Sequence, residues 1–544
     1  MKYKKIIFIL ILMFNFMIIM GLTEVKAATS EAYNIVTNPG EDMSTSVQIN
    51  WHSNINDTFL EYTKVSDTEY QNKVVVQPEV RTFSKPANEN GYLSQGFSQR
   101  YVCTVVLENL DPGTKYMYRV GKTSFSDNYY FETASGSGDF SFVHITDPQY
   151  ANESGAEVFN TLLGKAYEMA DVKFSFFTGD VVDRGGVESQ WTMFFTRSNI
   201  NKGIIATGVG NHEYYDASST PKTYNNSWYN AFHNNPKNGP EKVLNSSYYF
   251  VYNNVLFIML DSESKELEAL KTWFSKVVEE NFDRKFIIVG MHRSMYGSIY
   301  ADHSVAVRRN WQGLFDKYGV DLVLSGHDHV YARSHRVYKN KISDNSIYGT
   351  TYVIGGSGGL KFYGGKANEM YAKLVEYTSV ANIITVSNNS ISAQLINKDG
   401  NVLDTFSISK RRIGTKDSNF NKETFLENIS IEQNDAKTAG TLKWDDNFYG
   451  NVVEIGIRRE NSSSYMASLY LYNYKQTELA FDGIKPKDLN KFFVDVRFAD
   501  GTVETREMTV DNVEPYYPSL SEVLEDIKNN INQSIRSIIF KEEE

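Results

Sequence analysis

Phe-Ser-Phe-Phe-Thr-Gly-Asp-Val-Val-Asp-Arg-Gly, residues 174–185, decides the fold. An apolar strand-forming run, Phe174–Thr178, stops at Gly179 and delivers a carboxylate, Asp180, as soon as it ends. Polar groups at the carboxyl ends of buried strands line the ligand crevice of an open α/β sheet. The pattern recurs along the chain. Asp147 stands in Ile-Thr-Asp-Pro-Gln, Asn211 in Gly-Asn-His-Glu, His292 in Val-Gly-Met-His, and His327 and His329 in Gly-His-Asp-His. Four of these five motifs directly follow a run rich in Val, Ile or Phe; Gly-Asn-His-Glu follows the weaker run Ile204-Ile205-Ala206. Two carboxylates, an amide oxygen and three imidazoles converging at strand ends describe a site for two divalent or trivalent metals bridged by one carboxylate.

Working outward, strands and helices alternate from Asp139 to about Lys410. Phe140–Thr146, Phe174–Thr178, Gly203–Thr207, Val255–Leu260, Lys285–Val289 and Leu322–Leu324 read as strands. Helical patterns fall near Glu157–Met169, Val187–Arg197, Lys265–Glu279 and Val305–Lys317, and a hairpin around Asp399-Gly400 closes the segment.

The order Asp…Gly-Asp-x-x-[Tyr/Asp/Asn]…Gly-Asn-His-[Asp/Glu]…x-x-His…Gly-His-x-His, matched from Asp147 to His329, resembles the metallophosphoesterase superfamily and, within it, the purple acid phosphatase-like branch. The resemblance implies a four-layer α/β/β/α sandwich over residues 139–410. It implies that one metal takes Asp147, Asp180 and His329, and the other Asp180, Asn211, His292 and His327. A water bridging two metals about 3.5 Å apart would become a hydroxide placed for in-line attack on phosphorus. His212 would be the general acid, and His303, eleven residues after His292, would match histidines that contact phosphate. Two departures stand out: the tyrosine iron ligand responsible for the purple colour is replaced by Asp183, and Asp-x-Gly becomes Asp-Pro-Gln, with Gln149. The metals are therefore left open among Fe, Mn and Zn. Gly-Asp-Val-Val-Asp-Arg-Gly followed by Gly-Asn-His-Glu is also similar to motifs of serine/threonine protein phosphatases. Carried over, Asp183 would hydrogen-bond and orient His212, and Arg184 would grip phosphate.

The flanks differ in character. Residues 1–27 read as a secretion signal: Lys2, Lys4 and Lys5 precede an apolar run, and Val25-Lys26-Ala27 fits a cleavage site, which points to a secreted, extracellular protein without stable membrane insertion. Residues 30–134 read as a β-sandwich resembling a fibronectin type III fold. Val47, Ile49 and Trp51 alternate on one strand and Tyr101, Cys103, Val105 and Leu107 on another, while Tyr116 is placed to bond back across the Pro112-Gly113 turn. A second β-sandwich is expected over 413–511 and a helix over 518–540, whose Leu520, Leu524, Ile527, Ile531 and Ile535 would dock on the protein itself. Cys103 is the single cysteine, so internal disulfides are excluded. A net charge of −11, spread without a basic patch, argues against nucleic acid as a partner surface. A small phosphorylated substrate stays compatible because the metals supply local positive charge.

The sequence thus points to a secreted dimetal phosphomonoesterase. A phosphodiesterase or nucleotidase would use the same ligands. A cell-surface binding protein with a vestigial metal site is the reading from another class.

Overall fold

The alternation of Val47, Ile49 and Trp51 with polar neighbours buries all three side chains and sets them opposite Leu107, Val105 and Cys103 across an antiparallel ladder. In the computed structural model these residues belong to a set of eight strands: β1 (Ala32–Pro39), β2 (Val47–Ser53), β3 (Phe59–Lys64), β4 (Val74–Val76), β5 (Glu79–Ser84), β6 (Gln99–Leu107), β7 (Lys115–Gly121) and β8 (Tyr129–Glu132). They form two antiparallel sheets, β1-β2-β6-β5 and β4-β3-β7-β8. Tyr116 closes the expected corner: its hydroxyl accepts from the Asp111 amide at 3.0 Å. The described residues are 31–84, 99–217, 226–343, 349–409, 419–446, 448, 450–471, 476–484, 491–510, 520, 521, 523–525, 527 and 528. The signal reading over 1–27 lies outside them. Among the described residues no helix is long and apolar enough to cross a membrane.

The alternating region follows as β9 (Phe140–Ile145), α1 (Glu153–Met169), β10 (Val172–Phe177), α2 (Glu188–Phe195), β11 (Ile204–Thr207), α3 (Ser227–Phe232), β12 (Tyr248–Tyr252), β13 (Val255–Leu260), α4 (Leu267–Glu280), β14 (Phe286–Met291), α5 (Ala301–Tyr318) and β15 (Leu322–Ser325). It ends in β16 (Tyr331–Tyr338), β17 (Lys341–Ile342), β18 (Thr350–Gly355), β19 (Tyr371–Val375), β20 (Val380–Val386), β21 (Ser390–Asn397) and β22 (Val402–Ser409). Helix α1 starts at Glu153, four residues before the apolar periodicity, because Asn152 caps it by accepting from the Gly155 amide.

One sheet has the order β11-β10-β9-β20-β21-β22. The other has the order β12-β13-β14-β15-β18-β16-β17, with β19 on β16. Their inner faces meet in an aromatic core where Phe142 stacks on Phe174 at 5.2 Å and Phe257 meets Phe174 edge-on at 5.3 Å. Outside the first sheet, Phe159, Leu162, Leu163 and Ala166 of α1 are fully buried; α4 and α5 meet through Phe274, Trp311 and Phe315. This is a four-layer α/β/β/α architecture. Strands β9, β10 and β11 run parallel, as do β13, β14, β15 and β18, so several carboxyl ends share one edge of each sheet. Strands β16, β18 and β20 were not legible in the sequence.

The β-sandwich is joined to this region by hydrogen bonds rather than by a bare linker. Asn38 donates to the Ile205 carbonyl and accepts from the Asn234 amide, and His52 meets the Ala231 carbonyl at 2.7 Å.

Residues 411–544 form a separate compact unit. After α6 (Lys422–Glu427) come β23 (Ser430–Gln433), β24 (Ala439–Lys443), β25 (Val452–Arg459), β26 (Tyr465–Tyr470), β27 (Glu478–Asp482), β28 (Lys491–Phe498) and β29 (Val503–Thr509). They make two antiparallel sheets, β23-β24-β27 and β26-β25-β28-β29, around Leu442, Ile455, Phe481 and Val494. The helix expected over 518–540 lies mostly outside the described residues. At Leu520, Leu524 and Ile527, which are 78%, 56% and 49% exposed, the expected docking of the stripe is not met.

Changing Tyr116 to Phe removes the corner hydrogen bond and leaves the Asp111 amide unpaired. A loss of about 1 kcal/mol is expected, read as a lower denaturant midpoint with an unchanged slope.

Candidate metal centre

Each of the six candidate ligands follows a parallel strand: Asp147 comes after β9, Asp180 after β10, Asn211 after β11, His292 after β14, and His327 and His329 after β15. Because the two sheets face each other, their edges bring these side chains together. Ligand atoms of Asp180, His292 and His327 lie within 4.8 Å of one another, as do those of Asp147, Asp180 and His329. Asp180 is common to both sets. The Asn211 amide oxygen lies 3.3 Å from His292 Nε2, which is 3.2 Å from Asp180 Oδ2.

Backbone geometry and close packing aim these groups. Asp147, Gln149, Asp180, His327 and His329 all adopt positive φ, between 37° and 74°. Left-handed backbone at non-glycine residues costs on the order of 1–3 kcal/mol each and persists where the surroundings impose it. A Cβ at Gly210 would lie 2.2 Å from Asp180 Oδ1, and one at Gly326 would lie 2.2 Å from Asp147 Oδ2, so both motif glycines admit a carboxylate.

The buried Glu213 takes no part in either set but ties two loops. Its carboxylate accepts from the Gly210, Asp180 and Val181 amides at 2.7, 2.8 and 2.8 Å. His292 Nδ1 is held by the Thr178 carbonyl and His329 Nδ1 by the Lys361 carbonyl, both at 2.9 Å. With Nδ1–H donating, the neutral form of each imidazole would present the Nε2 lone pair to a metal.

The charges are those of a cation site. Burial pushes the Asp147 carboxyl up to about 7. Burial alone would depress the His292 imidazole, but the Asp180 carboxylate outweighs it and holds it up at about 10. Burial drives His327 down to about 2 and His329 down to about 4, leaving both neutral. Asp147 Oδ2 accepts from Thr146 and from the His327 amide, yet its buried Oδ1 has no hydrogen-bond partner. An orphaned carboxylate oxygen 3.4 Å from the free Nε2 of His329 is what a metal ligand looks like without its metal. The donors present fit two metal ions.

Around these ligands the expected auxiliary residues separate. His212 lies beside Asp180: its Nε2 is 3.9 Å from Asp180 Oδ2, and its amide donates to Asp180 Oδ1 at 2.8 Å. The Asp183 side chain does not make the hydrogen bond expected of it. His212 Nδ1 donates to the Asp183 main-chain carbonyl at 2.6 Å, while the carboxylate stays 3.8 Å away and accepts from Gln149 Nε2. The turn from 183 to 186, pinned by the Gly185 amide on the His212 carbonyl, presents the carbonyl first. Gln149 Nε2 also meets His212 Nε2 at 2.7 Å, and Lys361 Nζ on Gln149 Oε1 fixes which way that amide faces. Arg184 Nη1 is tied to the Ala217 carbonyl at 2.6 Å, a partner not expected from its motif. His303, at the start of α5, reaches the centre: its Nδ1 lies 3.2 Å from His327 Nε2.

Three further residues, Arg293, Glu213 and Lys361, escaped the sequence reading. Arg293 directly follows His292. It pairs twice with Glu263, at 2.6 and 2.7 Å, and turns Nη1 toward His303 Nδ1 and His327 Nε2. A cation directly after a ligand was the available signal. His144 is buried against Thr178, as a core histidine.

Comparison with known proteins agrees with this geometry. Residues 140–331 match the calcineurin-like phosphoesterase family, and residues 32–133 the purple acid phosphatase N-terminal domain. The chain is 25% identical over 373 residues to an Arabidopsis thaliana protein named probable inactive purple acid phosphatase 1, covering 60% of each. It is 25% identical over 301 residues to a phosphoenolpyruvate phosphatase of Allium cepa, covering 50% of this chain and 58% of that one. The chain thus spans about 60% of the length of these two relatives. A purple acid phosphatase from yellow lupin (Lupinus luteus) seeds shares the fold with a TM-score of 0.57 at 20% identity, over 70% of this chain and 74% of that one.

Asp147→Asn is expected to lower bound metal, read by elemental analysis after dialysis, and to shrink the gain in Tm on adding Mn²⁺ or Zn²⁺. Because the His212 contact is to a main-chain carbonyl, Asp183→Asn is expected to reduce turnover less than tenfold, whereas His212→Ala should reduce it by about 10²-fold or more. Steady-state kinetics on one substrate separates the two.

Residues 140–331 are thus a calcineurin-like metallophosphoesterase domain, preceded by a purple acid phosphatase N-terminal domain over residues 32–133.

Proposed function

We propose that this protein is a metal-dependent phosphoric ester hydrolase, acting first of all on phosphomonoesters. The observation that carries the reading is Asp180, shared by two ligand sets whose other members, with Asn211 beside them, are Asp147 and His329 on one side and His292 and His327 on the other. Two metals, when bound there, would supply Lewis acidity toward the phosphoryl oxygens and an activated water as nucleophile.

The chain's own groups do the rest. Thr178 and Lys361 orient the imidazoles through their carbonyls, and Thr146 steadies Asp147. Arg293, held rigid by Glu263, offers Nη1 to a phosphoryl oxygen, with His303 next to it. His212 carries its Nδ1 proton to the Asp183 carbonyl, so a proton for the leaving oxygen would sit on Nε2, where the Gln149 amide now rests. Gln149 would therefore shift when His212 acts as the acid. The reading includes export of the protein from the cell, supported by the basic and apolar pattern of residues 2–22, and a fibronectin type III-like sandwich over residues 30–134.

Hydrolysis of a chromogenic phosphomonoester beside its bis-ester, with protein loaded separately with Mn, Zn and Fe, tests the proposal. Faster monoester cleavage, lost in His292→Ala, is the expected result; a bis-ester preference would reassign the protein as a phosphodiesterase. Silence with every metal would overturn the hydrolase reading. With Asp183 in the position of the purple tyrosine, iron-loaded protein is expected to lack an intense visible charge-transfer band.

A further inference from the structure

Beside the metal centre, between α4 and α5, lies a cavity of about 430 Å³. Arg293 and His303 line it, and these two side chains also stand 3.3 and 3.2 Å from His327 Nε2. Leu267, Leu270, Val307 and Trp311 supply its apolar walls. Leu270, Val307 and Trp311 are buried and form its floor, while Lys265, His303 and Ala306 are exposed at its rim, so the recess opens to solvent.

Charge narrows what the recess can hold. The Arg293 guanidinium is matched by the Glu263 carboxylate at 2.6 and 2.7 Å, which leaves little net field for a second anion. Lys265, the other cation along the cavity, is solvent-exposed. The Asp261 carboxylate is occupied by Tyr214 and Ser246, and the Ser262 hydroxyl accepts from the Arg293 amide. Asn310 and Ser264 are the other polar side chains along it, set against Leu267, Leu270, Val307 and Trp311, so a sugar's several hydroxyls or a polyphosphate tail would meet largely apolar wall. Pockets of this size and lining take a largely apolar group whose position is fixed by a few polar contacts at one end.

We propose that this cavity binds the organic group of the substrate ester, and that the preferred substrates are phosphate esters of aryl or short alkyl groups rather than sugar phosphates or nucleoside polyphosphates. The proposal rests on the hydrolase reading above. It assigns Arg293 and His303 the boundary between a phosphoryl site and an apolar recess, and it makes Leu267, Val307 and Trp311 residues that decide specificity.

The test uses metal-loaded full-length protein and two monoesters, 1-naphthyl phosphate and methyl phosphate, with the variants Ala306→Trp, which fills the recess from α5, and Val307→Asp, which charges it. Wild-type kcat/KM is expected to favour the naphthyl ester at least tenfold, and that ratio is expected to fall at least tenfold in each variant that remains folded by circular dichroism. An unchanged ratio in Ala306→Trp overturns the proposal. If no ester is hydrolysed, the hydrolase reading fails by itself, and calorimetric binding of naphthylphosphonate against methylphosphonate decides the cavity separately. Naphthyl-selective binding lost in Ala306→Trp would sustain it, and equal binding of the naphthyl probe by wild type and variant would sink it.

Discussion

The buried carboxylate of Glu213 is the constraint on which the centre depends. By accepting amides from Gly210, Asp180 and Val181, it locks the loop after β10 to the loop after β11. Three charge–dipole hydrogen bonds offset part of the cost of burying that group, whose carboxyl burial still pushes up to about 7, and they fix the backbone of Asp180. Asp180 in turn fixes His212 through its amide and faces His292. One residue of the Gly-Asn-His-Glu motif thus holds the backbone of the carboxylate common to both candidate sets, although it supplies no ligand atom to either.

The second organising feature is the opposition of like and unlike charges in a dry place. Asp147 and Asp180 are brought together at the ends of the adjacent parallel strands β9 and β10, and neither carboxylate can be solvated where it lies. Without a cation, burial pushes one of them toward its protonated form, and a protonated His292 compensates the other. Strained positive-φ backbone at five site residues holds the donors in place. Such preorganisation keeps polar groups aimed at a charge that the protein does not itself contain.

The six ligand candidates were legible because each interrupts an apolar strand at its end, and that pattern survives in any alignment of motifs with strands. Helices α4 and α5 and the corner at Tyr116 were legible for the same reason: periodicity and turn chemistry are local. Strands β16, β18 and β20 were not: β20 completes its sheet against β9 at the start of the region, and β16 takes both β18 and β19 as partners, pairings that strand composition does not specify. The role expected of the Asp183 side chain was read from position alone. The turn chose the main-chain carbonyl instead, and a one-letter motif carries no information on which oxygen of a residue faces its neighbour.

The sequence by itself determined which residue types reach the strand ends, and therefore the chemistry available: two carboxylates, an amide and three imidazoles. Only the tertiary structure decided that Arg293 joins them with its charge matched by Glu263, and that an apolar recess opens beside His303. The reason is physical. Strand ends follow from short-range patterning of apolar side chains, whereas the facing of two sheets and the gap between two helices are set by packing between segments that are not neighbours along the chain.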